Sequence, residues 1–531
     1  MNDRSDHGRR QDRGGRPERG RDAQGRERSG SRGRGGQRRG RSAQRPGERR
    51  RTTTTTRLVA FEAMRTVRED DAYANLVLPR VLRRHRMHGR DAAFATELFY
   101  GATRARGRLD AVIAACIDRE LADLDPDVLD VLRLGGYQLL DMEVAAHAAT
   151  SETVALTRQV VGAGPASFVN AVLRRIGERT LEDWIAEVAP DRSEDEIGHL
   201  AIRHSHPAWI VRALRDALAG HGRSRDELED LLVAQNRAPA VSLVMRPGLT
   251  DIDEMIDHGA SRGHLSMLAA SWPSGDPGAL DPVREGRAAV QDEGSQLMAL
   301  ALAVGADGLV TAADEHWLDL CAGPGGKTAV LAGLGVEHGA DLEAVELQQH
   351  RTRLVERSVA TLVEAGAEVE VRTGDGRDVG VEQPDRFSRV LADVPCTGLG
   401  ALRRRPEARW RRVPADVAEL APLQRDLLSS ALDATAPGGV VAYVTCSPHV
   451  AETLLVVRDV LRRRSDVDQL DARPAVRAGM LPESAELPLG DGPSVQLWPH
   501  VHGTDAMFLA LLRKLPPAAS ADATPDPEDL P

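Results

Sequence analysis

Two thiols, Cys396 in DVPC and Cys446 in YVTCS, each follow an apolar run and sit where the chain must turn. A thiolate is a strong nucleophile, so two cysteines beside an acid, Asp393, offer covalent catalysis with a proton carrier at hand. Cysteines inside apolar stretches are more often small core hydrophobes, and Cys321 and Cys116 fit that description better. Lys327 and Lys514 are the only lysines in a chain with 69 basic residues. A lone ammonium in so arginine-rich a sequence is a candidate for organising Asp393 and for lowering a thiol pKa.

Lys327 ends the stretch WLDLCAGPGGKT, which invites a phosphate-loop reading. That loop, G-x-x-x-x-G-K-[ST], needs glycine at 321, where Cys321 stands, and the dinucleotide pattern G-x-G-x-x-G would end on Thr328. A P-loop ATPase is therefore excluded. What is left is a turn, Gly323 to Gly326, where backbone free of Cβ atoms can approach a ligand. Glu346 in LEAVEL suits the paired hydroxyls of a ribose, because one carboxylate accepts from both. Asp375 in TGDGRD is placed to accept from an adenine amino group. Ribose, adenine, a small tail and no phosphate describe S-adenosylmethionine.

These residues need a scaffold that brings them together. From about residue 287, WLDL, LEAVEL, VEVRTGD, SRVLADVP and GVVAYVTCS read as strands separated by helical stretches such as GKTAVLAGLG and APLQRDLLSSALDATA. Such alternation predicts a doubly wound sheet, with ligands at the carboxyl ends of the strands. Every candidate falls on such an end. Residues 57–180 repeat apolar side chains three and four apart, the pattern of an all-helical bundle. Residues 190–285 are mixed, with a capped helix after SHPAW and a strand in VSLVMRP.

LDLCAGPGGKT, LADVPCTGLGALRRRPEARW and YVTCS together resemble the signature set of RNA cytosine-C5 methyltransferases. SHPAW, VQDEGSQLMALAL and HGTDAMFLALLRK look like that family's linker and last strand, and RDAAFATELFYGATR with FVNAVLRRI is similar to its NusB-like RNA-binding domain. This combination is that of the bacterial Sun/RsmB-type 16S ribosomal RNA methyltransferases, and it covers roughly residues 55–514. The resemblance implies three folded parts: an all-α NusB-like bundle at 55–182, a small mixed α/β linker at 183–286, and a Rossmann-like class I methyltransferase domain at 287–514. An Arg/Gly-rich arm at 1–54 and an acidic tail at 515–531 are expected to be disordered. By the same resemblance, Cys446 is the nucleophile, Cys396 assists product release, and Asp393 and Lys327 complete the catalytic set. Cofactor contacts are implied for Asp319, for the turn Cys321, Ala322, Gly323, Pro324, Gly325, Gly326 and Lys327, and for Glu346, Arg351, Asp375 and Asp393. Arg403, Arg404, Arg405 and Arg409 are expected to hold RNA phosphates, and Trp410 either to stack on a base or to pack. Three positions depart from the family: Val394 replaces a usual alanine, Pro247 stands where Arg-Val-Asn is common, and Thr453 follows a single acid, Glu452. The alternatives are a transfer-RNA methyltransferase, or a NusB-like antitermination factor without catalysis.

Composition sets the outer limits. The net charge of −11 conceals an arm, residues 1–51, with 18 arginines against 7 acids. Such a segment cannot repay its ordering entropy and either tracks nucleic acid or solubilises the chain. Four cysteines without a C-x-x-C pair argue against zinc and against a disulfide scaffold. With no apolar run near the roughly 18 residues of a membrane span and no secretory core, the expectation is a cytoplasmic monomer acting on RNA, with no metal and no membrane.

Overall fold

The computed structural model describes residues 54–142 and 144–516. The expected arm and tail therefore lie, apart from Thr54, Leu515 and Pro516, outside the described residues. The first part is helical: α1 (Thr55–Glu69), α2 (Ala74–Arg84), α3 (Gly89–Arg104), α4 (Arg106–Ala115), α5 (Pro126–Leu140), α6 (Ala146–Val160) and α7 (Ala166–Ile176). Their apolar stripes close one core around Phe61, Leu98, Phe99, Ile113, Leu132 and Leu173, all fully buried. Local signals start α5 cleanly, with Pro126 in its first turn and the Asp125 carboxylate accepting from the Asp127 and Val128 amides. Three further helices, Glu196–Arg203, Ala208–Gly220 and Leu228–Asn236, gather a second core that includes Leu399, Leu402 and Trp498 from the far end of the chain. The helix at SHPAW begins inside that motif with Pro207 at its N-cap, and no side chain caps it.

A small antiparallel sheet comes next: β1 (Val241–Met245), β2 (Ser261–Arg262), β3 (Ala269–Trp272) and β4 (Ala288–Val290), in the order β2-β3-β1-β4. β4 pairs with β1, so the small sheet runs past residue 286, where a boundary was expected. In sequence, Ala288 to Val290 reads as the start of the strand–helix alternation, but it pairs back to Leu243, Val244 and Met245.

The large sheet contains β5 (His316–Asp319), β6 (Asp341–Glu346), β7 (Val369–Thr373), β8 (Phe387–Asp393), β9 (Thr435–Thr445), β10 (Val467–Leu470), β11 (Val495–Gln496) and β12 (Phe508–Lys514). Its order is β10-β12-β9-β8-β5-β6-β7, with β11 on β12. β5 to β9 are parallel, β12 runs antiparallel to β9, and β10 runs antiparallel to β12. Alternate residues face opposite layers. Trp317, Leu391, Val440 and Ala442 pack into one core, and Leu318, Val390, Val441 and Tyr443 into the other. Burial on both faces explains why these strands read as continuous apolar runs. Strand order reverses between β5 and β8, which opens a crevice at their carboxyl ends.

Candidate functional site

Register fixes what converges there. Asp319 pairs with Leu391, and Asp393 with Val444, so the turns leaving β5, β8 and β9 emerge side by side. Cys396 follows β8, Cys446 follows β9, and their Sγ atoms are 3.4 Å apart. Both side chains are half-buried rather than sealed in the core. The Lys327 ammonium, near the start of the helix Gly326–His338, donates to Asp393 Oδ2 at 2.7 Å. Lys327 thus bridges the glycine turn to the cysteine pair.

The two thiols are electrostatically unequal. The Cys446 thiol is held below its usual pKa by the hydrogen bond with Cys396, against the opposing effects of burial and Asp393, with Arg405 and Lys327 adding positive charge. The Cys396 thiol is pushed up by that same hydrogen bond, then by burial, with Glu452 and Asp393 adding negative charge.

One buried carboxylate ties the two turns together. Glu452 has no exposed surface. Its Oε1 accepts from the Thr397 amide at 2.7 Å and from Gln424 Nε2 at 3.2 Å. Its Oε2 accepts from the Thr397 hydroxyl at 2.5 Å and the Ser447 hydroxyl at 2.6 Å. Thr397 adjoins Cys396 and Ser447 adjoins Cys446, so Glu452 sets the separation of the thiols. Sequence reasoning noted Glu452 only as the remnant of an acid pair. The available signal was an acid soon after Cys446, with hydroxyl residues next to both cysteines.

At the glycine turn, Glu346 Oε2 accepts from the Gly323 amide at 3.1 Å, and Arg351 donates to the Gly323 carbonyl at 2.7 Å. A Cβ on Gly323 would lie 2.1 Å from Glu346 Oε2, and one on Gly325, whose φ is +102°, would lie 2.6 Å from Ser358 Cβ. Gly325 therefore requires glycine, whereas at Gly323 a side chain would displace the ends of Glu346 and Arg351. Ala322 is buried, Cys321 half-buried, and the Gly323–Pro324 peptide is cis. Gly326 opens the helix. Asp319 is buried, and its Oδ2 accepts from the Thr328 hydroxyl at 2.7 Å. Its Oδ1 has no partner among the described residues, and burial lifts the carboxyl to about 7. An orphaned, buried acid oxygen beside a glycine turn fits the ammonium of an amino-acid tail. Asp375 lies two residues past the end of β7 and is engaged by Arg377 through both carboxylate oxygens.

The arginines after Cys396 are placed differently from expectation. Arg409 has no exposed surface, and it donates to Asn236 Oδ1 at 2.7 Å and to the Gln235 carbonyl at 2.8 Å. Its guanidinium locks the loop to sequence-distant backbone and is closed to a phosphate. Arg403 is bonded to Asp292 at 2.6 Å and Asp505 at 3.1 Å, and Arg404 also pairs with Asp505. Both are committed to buried acids. Arg405 stands 4.9 Å over the Tyr73 ring of the helical part. Trp410 packs, with Arg106 5.4 Å over its ring and Gly107 against its edge. The departures are accommodated too: Val394 is buried in the core, and Pro247 packs on Gly333. Among the described residues no cluster of His, Cys, Asp and Glu could hold a metal, and no helix is long and apolar enough to cross a membrane.

A Rossmann-like sheet with this site, joined to a separate helical bundle, defines a two-part nucleic-acid methyltransferase. The family model described as 16S rRNA methyltransferase RsmB/F matches residues 308–513, and that of the NusB family matches 54–178. Ribosomal RNA small subunit methyltransferase B of Pseudomonas syringae pv. tomato (strain ATCC BAA-871 / DC3000) is 30% identical over 471 residues, covering 86% of this chain and 97% of that protein. A Mycobacterium tuberculosis (strain ATCC 25618 / H37Rv) protein, provisionally named methyltransferase Rv1407, is 53% identical over 470 residues, 88% of this chain and 98% of its own length. The crystal structure of PH0851 superposes with a TM-score of 0.69 at 23% identity, over 86% of this chain and 98% of that one, and shares the fold. The chain belongs to the RsmB/F family of 16S ribosomal RNA methyltransferases, with an N-terminal NusB domain. It is an S-adenosylmethionine-dependent RNA methyltransferase.

Proposed function

We propose that this protein methylates carbon 5 of a cytosine in 16S ribosomal RNA through a covalent bond between Cys446 and the base. The observation that carries the reading is the pair of thiols 3.4 Å apart, beside an acid held by a lysine. Carbon 5 of cytosine is a poor nucleophile, and addition of the Cys446 thiolate to carbon 6 makes it an enamine carbon. When bound, the cofactor supplies an electrophilic methyl group. Asp319 would hold its amino-acid end, the backbone of the Gly323–Gly326 turn its near side, Glu346 its ribose, and Asp375 its adenine.

Asp393 accepts from the N4 amino group of the base through the oxygen that Lys327 leaves open, and the Lys327 ammonium offsets the negative charge that thiolate addition delivers to the ring. Cys396 then serves the second half. Cys396 gives its proton to the departing Cys446 sulfur, 3.4 Å away, and the Cys396 thiolate so formed takes the carbon-5 proton, which restores the ring double bond. A base inside a helix cannot reach a half-buried thiol, so the target cytosine leaves its stack. Mapping 5-methylcytosine in 16S rRNA incubated with the protein tests the reading. One cytosine modified by the wild type and none by Cys446→Ala is the expected result. Methylation at a base nitrogen or a ribose, or full turnover by Cys446→Ala, rejects it.

A further inference from the structure

A cavity of about 160 Å³ opens to solvent where the helical bundle meets the linker, walled by Glu97, Gly101, Arg104, Arg108, Tyr137 and Asn236. Its charge is unbalanced. Arg104 is nine-tenths buried, its Nε has no hydrogen-bond partner, and no carboxylate lies within ion-pair distance among the described residues. Its guanidinium lies 5.5 Å over the Tyr100 ring, which leaves the donor edge unengaged. Arg108 is paired with Asp141, yet its Nε is also buried without a partner. Behind them, the buried Arg409 has only neutral oxygens as partners and an unpaired Nε. Its guanidinium pKa is lowered to about 9 by burial first, and then by the charges of Arg104 and Arg108. The acids that face this group are Glu97, which accepts from the Tyr137 hydroxyl at 2.5 Å, and Asp141. Three guanidiniums thus meet two carboxylates. Leaving a buried cation uncompensated is costly, and an anion bound between these groups would relieve that cost.

We propose that this cavity binds a phosphate group of the RNA backbone, with Arg104 as its principal ligand and Arg108 and Asn236 beside it. The two terminal nitrogens of Arg104 form the planar fork that grips two phosphate oxygens. The site lies between the bundle and Arg409, in the segment that leaves the Cys396 turn. A phosphate there relieves repulsion on the residue anchoring that turn, and so couples RNA docking to the active site. The inference rests on RNA being the substrate, but not on the roles of the cysteines.

The test measures equilibrium binding of 16S rRNA to the full chain across salt concentrations, with no methyl donor, so a failure of the cysteine chemistry cannot affect it. Arg104→Gln should weaken binding about 10- to 100-fold, the range for a hydrogen bond to a charged group, and flatten the salt dependence by about one counterion. Glu97→Gln keeps the bond to Tyr137 and removes the opposing charge, so it should bind RNA several-fold more tightly, a gain that misfolding cannot imitate. Inorganic phosphate titrated against the thermal midpoint separates the sources. Stabilisation of the wild type by phosphate, with RNA affinity unchanged in both variants, assigns the cavity to a free oxyanion and overturns the proposal. Unchanged RNA binding with no phosphate effect removes the site altogether.

Discussion

Replacing Glu452 by glutamine keeps the size of the side chain and removes only its charge. The carboxylate accepts four hydrogen bonds, from the Thr397 amide and hydroxyl, the Ser447 hydroxyl and Gln424. Glutamine can still accept on one side, while on the other its NH2 must donate to hydroxyls that turn round. Hydrogen bonds to a charged group contribute about 1.5–3 kcal/mol against roughly 0.5–1.5 for neutral ones. With compensation inside the network, the net loss is about 1–3 kcal/mol, or roughly 5- to 150-fold if it falls on the reacting geometry. That is where it should fall, because these bonds position the turns carrying Cys396 and Cys446, and small misplacements of reacting groups are expensive. Glu346 and the glycine turn are untouched, so KM for the methyl donor should not move while kcat drops. The charge of Glu452 also raises the Cys396 thiol pKa, so the variant should let Cys396 alkylate at lower pH. Single-turnover methyl transfer and pH-dependent alkylation read the two effects separately. An unchanged kcat with an unshifted alkylation profile would refute the clamp.

Lys327→Met removes a positive neighbour of Cys446, so the thiol pKa rises and the rising limb of the pH–rate profile moves to higher pH; an unmoved limb contradicts the electrostatic role. Burial lifts Asp319 to about 7, above its ordinary value of 3.8, so its contribution to stability is full below pH 4 and declines as pH rises to about 7. A cationic amine favours its charged form. Calorimetry should therefore show donor affinity falling as pH drops below about 7, with proton release on binding that Asp319→Asn abolishes. Arg409→Lys should lower the thermal midpoint by several degrees, because a buried fork bonded to three segments is lost, yet leave the salt dependence of RNA binding unchanged. A flattened salt dependence would restore Arg409 as a phosphate contact.

The convergence of residues at the strand ends was legible because parallel strands buried on both faces advertise themselves as apolar runs, and polar residues at their ends stand out. Asp319, Glu346, Asp393, Cys396 and Cys446 were placed at strand ends that way. The arginines were not readable, because nothing local tells Arg403 that Asp292 and Asp505 wait more than a hundred positions away, or Arg409 that three carbonyl-bearing segments enclose it. Runs of arginine beside an active site suggest phosphate on charge alone, whereas three-dimensional pairing decides which charges remain free. Arg104, in an apolar helix, gave no sign of the unbalanced cavity for the same reason. The short strands β10 and β11 and the return of β4 to β1 are tertiary choices that local pattern does not encode.

The most direct measurement is the mass of the protein recovered under denaturing conditions after reaction of Cys396→Ala with 16S rRNA and methyl donor. A stable protein–RNA adduct joined at Cys446, absent from Cys396→Ala/Cys446→Ala, is the expected result. Free protein together with normally methylated RNA would contradict covalent catalysis by the cysteine pair.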